Sequence, residues 1–284
     1  MKKIILVIVC LAVGMGCLAQ SKIVTESVPS KALGRDVSVN VYLPDGYDHD
    51  GHYPVLYLLH GLYGTHKDWP SVGGLPGVAD ELMASGEARR MVIVMPCAGD
   101  PDVHHVQNGY FNMPGYNYED FFFGELIPAM ESKYHCGGSK GQRAIQGLSM
   151  GGGGSVVYAQ RHPDMFSSCY GMSAWLTNDS RSLKDQTDKN DKLYIVSKSV
   201  IEHSALDYVD NATPEVLKSL RTIKWFIDCG DDDFLLQINM DLHMKMRAKG
   251  IKSELRVRDG AHTWEYWHTA LRLSLPFASR NFSE

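Results

Sequence analysis

The chain has little of what a nucleic-acid or metal-binding protein needs. It carries 28 Lys and Arg against 33 Asp and Glu, a formal net charge of −5 over 284 residues. No stretch gathers the basic residues into a stripe that could follow a phosphate backbone, so nucleic acid is excluded as an expected partner. No C-x-x-C pair occurs, and with it the usual spacing of a structural zinc site is missing. No internal repeat or low-complexity linker divides the chain, and past the N-terminus no apolar run reaches membrane-spanning length. Disorder is excluded by a content of 44% hydrophobic and 21% charged residues. This length fills one large core without requiring a second domain.

What is present begins with an address. "MKKIILVIVCLAVGMGCLAQ" places Lys2 and Lys3 before an apolar run from Ile4 and then small residues, the order of a bacterial secretory signal. Two exits are open: cleavage after Ala19, giving a signal peptide over 1–19, or lipid attachment at Cys17 in "GMGC", where Gly14 stands at the position usually held by Leu. Both imply an exported protein, periplasmic, secreted or lipid-anchored, with Cys17 as its sole expected tie to a membrane. Of the later cysteines, Cys97, Cys169 and Cys229 sit in or beside strand-like apolar runs and Cys136 stands apart from them. An oxidising compartment permits disulfides, but these positions read as buried thiols acting as small core residues.

From residue 20 onward, short apolar runs alternate with helical patterns. "VSVNVYLP" closes an N-terminal hairpin, and "YPVLYLLHG", "RMVIVMPCA", "QRAIQGLS", "SSCYGMSA", "IKWFIDCG" and "SELRVRDG" read as strands. Between most of them, "GVADELMASGEA", "YEDFFFGELIPAMESKYH", "GGGSVVYAQRHP", "LLQINMDLHMKMRAKG" and "TWEYWHTALRLSLPFASR" carry apolar residues at helical spacing. The expected fold class is therefore α/β, a mostly parallel sheet covered on both faces, with its ligand site at the carboxyl ends of the strands. One segment breaks the rhythm. Residues from about 176 to 220 are too long for an ordinary connection and read as an insertion, either a partial lid, the favoured reading, or a surface decoration, with Leu193, Tyr194, Ile195 and Val196 available to line a pocket.

"GLSMGGGG" stands where a strand closes and a helix opens. A Gly-x-Ser-x-Gly pattern alone is weak, but at a strand-turn-helix it lifts a serine hydroxyl above the sheet edge. Gly147 and Gly151 leave room for the turn, and the Met150 N–H at the helix start faces a developing oxyanion. The partners of Ser149 then appear downstream. "WFIDCGDDDFLL" offers Asp231, Asp232 and Asp233, among which composition cannot choose, and "RVRDGAHTWEYW" offers His262 as the base. Upstream, "LLHGLYGTHKDW" ends a buried strand at His60-Gly61 and presents the Leu62 N–H as a second oxyanion donor.

Together "LLHGLYGTHKDW", "AIQGLSMGGGGS", "CGDDDFLL" and "GAHTWEYW" resemble the esterase D family of α/β-hydrolases, in particular its feruloyl esterases, over most of residues 35–280. The resemblance implies an α/β-hydrolase fold and Asp233 as the acid of a Ser149-His262-Asp233 triad, with Leu62 and Met150 as oxyanion positions. It also implies a serine carboxylesterase without cofactor or metal, acting on a small ester or esterified oligosaccharide, with feruloyl esters of plant polysaccharide foremost. A short-chain acetyl esterase and an acyltransferase are the alternatives within the same chemistry, and a non-catalytic carbohydrate-binding relative is the reading from another class. Tyr110, Phe111 and Trp264 are the candidate substrate contacts. Tyr116 stands beside the first two, and Trp267 is expected to pack. His104 and His105, with Asp100 and Asp102, read as a polar loop rather than a metal site.

Overall fold

The computed structural model describes residues 21–99, 109–178, 183 and 188–283. The N-terminal address, His104, His105, Asp100 and Asp102 lie outside them. The chain opens with β1 (Lys22–Ser30) and β2 (Arg35–Leu43), an antiparallel hairpin whose tight turn places Gly34 at φ 65°. β3 (Val55–Leu59) follows, buried at every position as a central parallel strand must be. Two helices, α1 (Asp68–Ser71) and α2 (Leu75–Ser85), return the chain to β4 (Val92–Pro96).

A two-residue-stranded hairpin, β5 (Asn112–Met113) with β6 (Tyr116–Asn117), leads into α3 (Tyr118–Phe121), a π-helical turn over Phe122–Leu126, and α4 (Ile127–Tyr134). The sequence pattern reads this stretch as one helix. Pro128 cannot donate to the carbonyl four residues back, and the widened turn lies directly before it. β7 (Arg143–Leu148) runs into α5 (Met150–Arg161), and β8 (Ser168–Met172) follows. The chain then forms α6 (Lys192–Glu202), α7 (Ala205–Asp210) and α8 (Pro214–Leu220) before β9 (Lys224–Gly230). It ends with α9 (Leu236–Ala248), β10 (Ser253–Arg258) and α10 (Trp264–Asn281).

The main sheet has eight strands in the order β1-β2-β4-β3-β7-β8-β9-β10. β2 pairs antiparallel with β1 and β4, and every pair from β4 to β10 is parallel. This is the α/β-hydrolase arrangement. α2 and α10 bury one face with Leu75, Val78, Leu271 and Leu275; α4, α5 and α9 bury the other with Met130, Val156, Leu242 and Met246. After β3 the order runs outward to β4, then crosses back to β7 and continues the other way. The carboxyl ends of β3 and β7 thus flank a topological switch point, where open α/β sheets form their crevice. Cys97, Cys136, Cys169 and Cys229 are free and buried.

Candidate active site

Between β7 and α5 stands a single residue, Ser149, at φ 53° and ψ −118°. Such a conformation is costly for a residue with a side chain and persists only where surrounding bonds impose it. Here they do: the Ser149 N–H donates to the Met172 carbonyl at 2.8 Å, and its carbonyl accepts from the N–H groups of Gly153 and Trp175, both at 2.9 Å. The glycines make the approach physical. A Cβ on Gly147 would lie 2.4 Å from the Gly151 carbonyl oxygen, and one on Gly151 would lie 2.5 Å from that of His60. The strand, the helix and the β3 loop meet backbone to backbone.

His262, in the loop between β10 and α10, reaches this turn. Its Nε2 accepts from Ser149 Oγ at 2.9 Å, while its Nδ1–H donates to Asp233 Oδ2 at 2.9 Å. The carboxylate accepts on that side, so the ring carries its proton on Nδ1 and offers Nε2 to the serine. Asp233 lies just past β9 with a fully buried side chain, and its Oδ1 accepts the Leu235 N–H at 2.8 Å. Burial pushes this carboxyl up, but the His262 and Leu235 bonds, the Ser173 hydroxyl and the His262 charge outweigh it and hold its pKa below the usual value. Asp231 and Asp232 are exposed. Of the three contiguous acids, the structure brings only Asp233 to the histidine.

The loop after β3 supplies the opposite wall. His60 is buried; its Nε2 accepts the Ala98 N–H at 2.9 Å, its Nδ1–H donates to the Gly61 carbonyl at 2.8 Å, and its own carbonyl accepts from Tyr110 Oη. Burial pushes the imidazole pKa down to about 4, so it stays neutral as a spacer under Gly61 and Leu62. The Met150 N–H opens α5, where the first amides of a helix lack intrahelical partners and the dipole is positive. Leu62, Ser149 and His262 all line one cleft of ≈ 470 Å³.

A family model described as "Esterase: Putative esterase" matches residues 30–278. The chain belongs to this esterase family. Its fold and family are those of serine-type carboxylesterases related to feruloyl esterases. A solved ferulic acid esterase is 46% identical, with a TM-score of 0.90, covering 94% of this chain and 100% of that one. An endo-1,4-beta-xylanase/feruloyl esterase of Xylanibacter ruminicola is 28% identical over 249 residues, 85% of this chain. The chain spans 29% of the length of that relative. A fluorophosphonate-binding serine hydrolase of Staphylococcus aureus shares the fold, with a TM-score of 0.74 at 21% identity, covering 92% of this chain and 99% of that one.

Within this esterase fold the expected substrate contacts divide. Trp264 lines the cleft, edge-on to both Trp69 and Trp267 at 5.4 Å. Tyr110 and Phe111 do not. Tyr110 is buried behind the β3 loop, where its hydroxyl supports His60, and Phe111 stacks on His203 at 4.3 Å. Tyr116 is buried too, bonded to the Ala98 carbonyl. Their place between a strand end and a helix is real, but the chain folds inward there and the rings become core. Trp267, expected only to pack, also lines the cleft, edge-on to His262 at 4.8 Å, with its indole N–H on Ser173 Oγ at 3.1 Å. Sequence reasoning missed Trp175, Phe234, Tyr63 and Asp68, which also line the cleft. Trp175 and Phe234 each follow the carboxyl end of a parallel strand, a signal that was there to be used.

The lid expectation over 176–220 falls partly on residues 179–182 and 184–187, which lie outside the described residues. No described residue of 176–220 lines the cleft. α6 packs against β5, and α7 against α5 and α9, because their apolar positions, Val196, Val200, Leu206 and Val209, are drawn into the core on that face.

Proposed function

We propose that this chain is a serine carboxylesterase that cleaves feruloyl or related hydroxycinnamoyl esters of plant polysaccharide. Ser149 Oγ attacks the ester carbonyl carbon while His262 Nε2 takes its proton, and Asp233 stabilises the imidazolium that forms. The Leu62 and Met150 N–H groups receive the charge on the carbonyl oxygen. The carbon–oxygen bond to the alcohol then breaks as His262 returns the proton to the departing oxygen, leaving an acyl group on Ser149. Water, activated by the same histidine, releases the acid and restores the serine.

The observation that carries the substrate class is the cleft wall: Trp175, Trp264 and Trp267 converge on Ser149, with Asp68 the one carboxylate among the described lining residues outside the proposed triad. Planar aromatic walls suit a planar aromatic acyl group. The similarity to a ferulic acid esterase over the whole of that chain supports the same reading. Export belongs to the proposal as well, supported by Lys2, Lys3, the apolar run and the small residues before Gln20, with residues 20–284 as one catalytic domain.

Steady-state kcat/KM on methyl ferulate and on p-nitrophenyl acetate tests it. The expected result is a higher value for the ferulate despite its poorer leaving group. Preference for the acetate by the ratio of leaving-group reactivities alone would overturn the aromatic acyl assignment. Mass analysis of the secreted protein would read the processing site directly.

A further inference from the structure

Phe234 is the most exposed of the large hydrophobic side chains described, at 76%, yet it stands beside the machinery. It directly follows Asp233, lines the cleft, and holds its ring 4.6 Å from that of His262 at an angle of 46°. Core packing does not explain it, since the ring faces solvent. Trp267 touches the same imidazole from the buried side. The two aromatic contacts of His262 are therefore of opposite character, one in the core and one at the rim.

The direction of proton transfer says what passes over that rim. His262 Nε2 must hand its proton to the oxygen that leaves, so the alcohol of the ester lies within hydrogen-bond reach of this nitrogen. The remainder of the alcohol then extends past the imidazole, on the Phe234 side. With the alcohol on that side, the half-buried Trp175 and Trp264 of the same cleft are left to the acyl group. An exposed aromatic ring at the mouth of a cleft offers a flat apolar surface, and one face of a sugar ring presents C–H groups that cover such a surface while its hydroxyls stay in water.

We propose that Phe234 is a stacking platform for the sugar that carries the ester, and so a specificity-determining residue on the leaving-group side. This rests on the carboxylesterase reading above. The sugar is a neutral one: Asp231 and Asp232 share the turn with Phe234 and, with Asp259, form an exposed group of three carboxylates within 4.8 Å of one another, which disfavours a uronate.

The test uses two substrates with one acyl group, methyl ferulate and ferulate esterified to a neutral xylo-oligosaccharide. In Phe234→Ala, the ratio of kcat/KM for the sugar ester to that for the methyl ester falls about tenfold, chiefly through KM for the sugar ester. Phe234→Tyr keeps the wild-type ratio, because the ring remains. An unchanged ratio in Phe234→Ala would overturn the platform, including the case in which both substrates suffer equally because the ring merely shields His262. Wild-type protein that forms an acyl-enzyme with p-nitrophenyl acetate but turns over neither ferulate ester would instead sink the substrate reading, and this inference with it.

Discussion

Two connections leave neighbouring strands of the same sheet and behave in opposite ways. From β7 to α5 the chain spends one residue, Ser149, and every atom around it is fixed by backbone contact. From β8 to β9 it spends more than fifty, including α6, α7 and α8, and none of those described beyond Trp175 lines the cleft. The serine that faces His262 sits on the short connection, where a sheet edge and a helix start can hold a strained residue at one place. The described helices of the long connection extend the core on a flank. Position in the chain between two site-bearing strands therefore says little about proximity to the site; the constraint on the backbone says more.

The sharpest break of this comparison is at the triad. Ser149→Ala removes an oxygen that the core does not use, so the protein should fold normally and lose on the order of a thousandfold or more in kcat/KM. Asp233→Asn should follow closely, because an amide facing Nδ1 favours the wrong imidazole tautomer, whereas Asp232→Asn, exposed one residue away, should change little. A comparable defect from Asp232→Asn would displace Asp233 from the proposed role.

A smaller effect measures the backbone constraint itself. A Cβ on Gly153 would stand 2.0 Å from the Trp175 carbonyl oxygen, backbone that cannot give way cheaply. Gly153→Ala should therefore destabilise the fold by about 3 kcal/mol or more. Gly77, exposed in α2, has nothing within 4 Å of the same point. Gly77→Ala should stabilise by about 0.5–1 kcal/mol, as at any helical position where alanine fits. Denaturant midpoints of the two variants give the contrast directly, and equal shifts would show that the turn is looser than its contacts imply.

The same contrast explains what the sequence disclosed. The strands and the order of the candidate triad residues were legible because hydrophobic period and glycine offsets are local signals, and Ser149, Asp233 and His262 stand one, three and four residues past β7, β9 and β10. Choosing Asp233 over its neighbours needed family resemblance, since three adjacent acids differ only in which one the fold turns inward. Tyr110 and Phe111 were misread for a related reason: an aromatic after a strand end can face the crevice or the core, and only the path of the following residues decides. For 176–220, the sequence marked an insertion but carried no address for the face that its helices α6, α7 and α8 cover.

The smallest expected effect falls on that insertion. Val209 in α7 is fully buried, within a helix that packs against α5 and α9 and contributes no residue to the cleft lining. Val209→Ala should cost about 1–3 kcal/mol of stability through the cavity it leaves. Catalytic selectivity should not follow, because α5 is fixed at its other end by the backbone contacts of the Ser149 turn, and a methyl-sized void does not reach the cleft wall. The ratio of kcat/KM for methyl ferulate to that for p-nitrophenyl acetate is then the same in the variant as in the parent, measured well below its lowered melting temperature. A selective loss on the bulkier aryl ester would mean that α7 does shape the acyl side through α5, and the long connection would join the short one as part of the site.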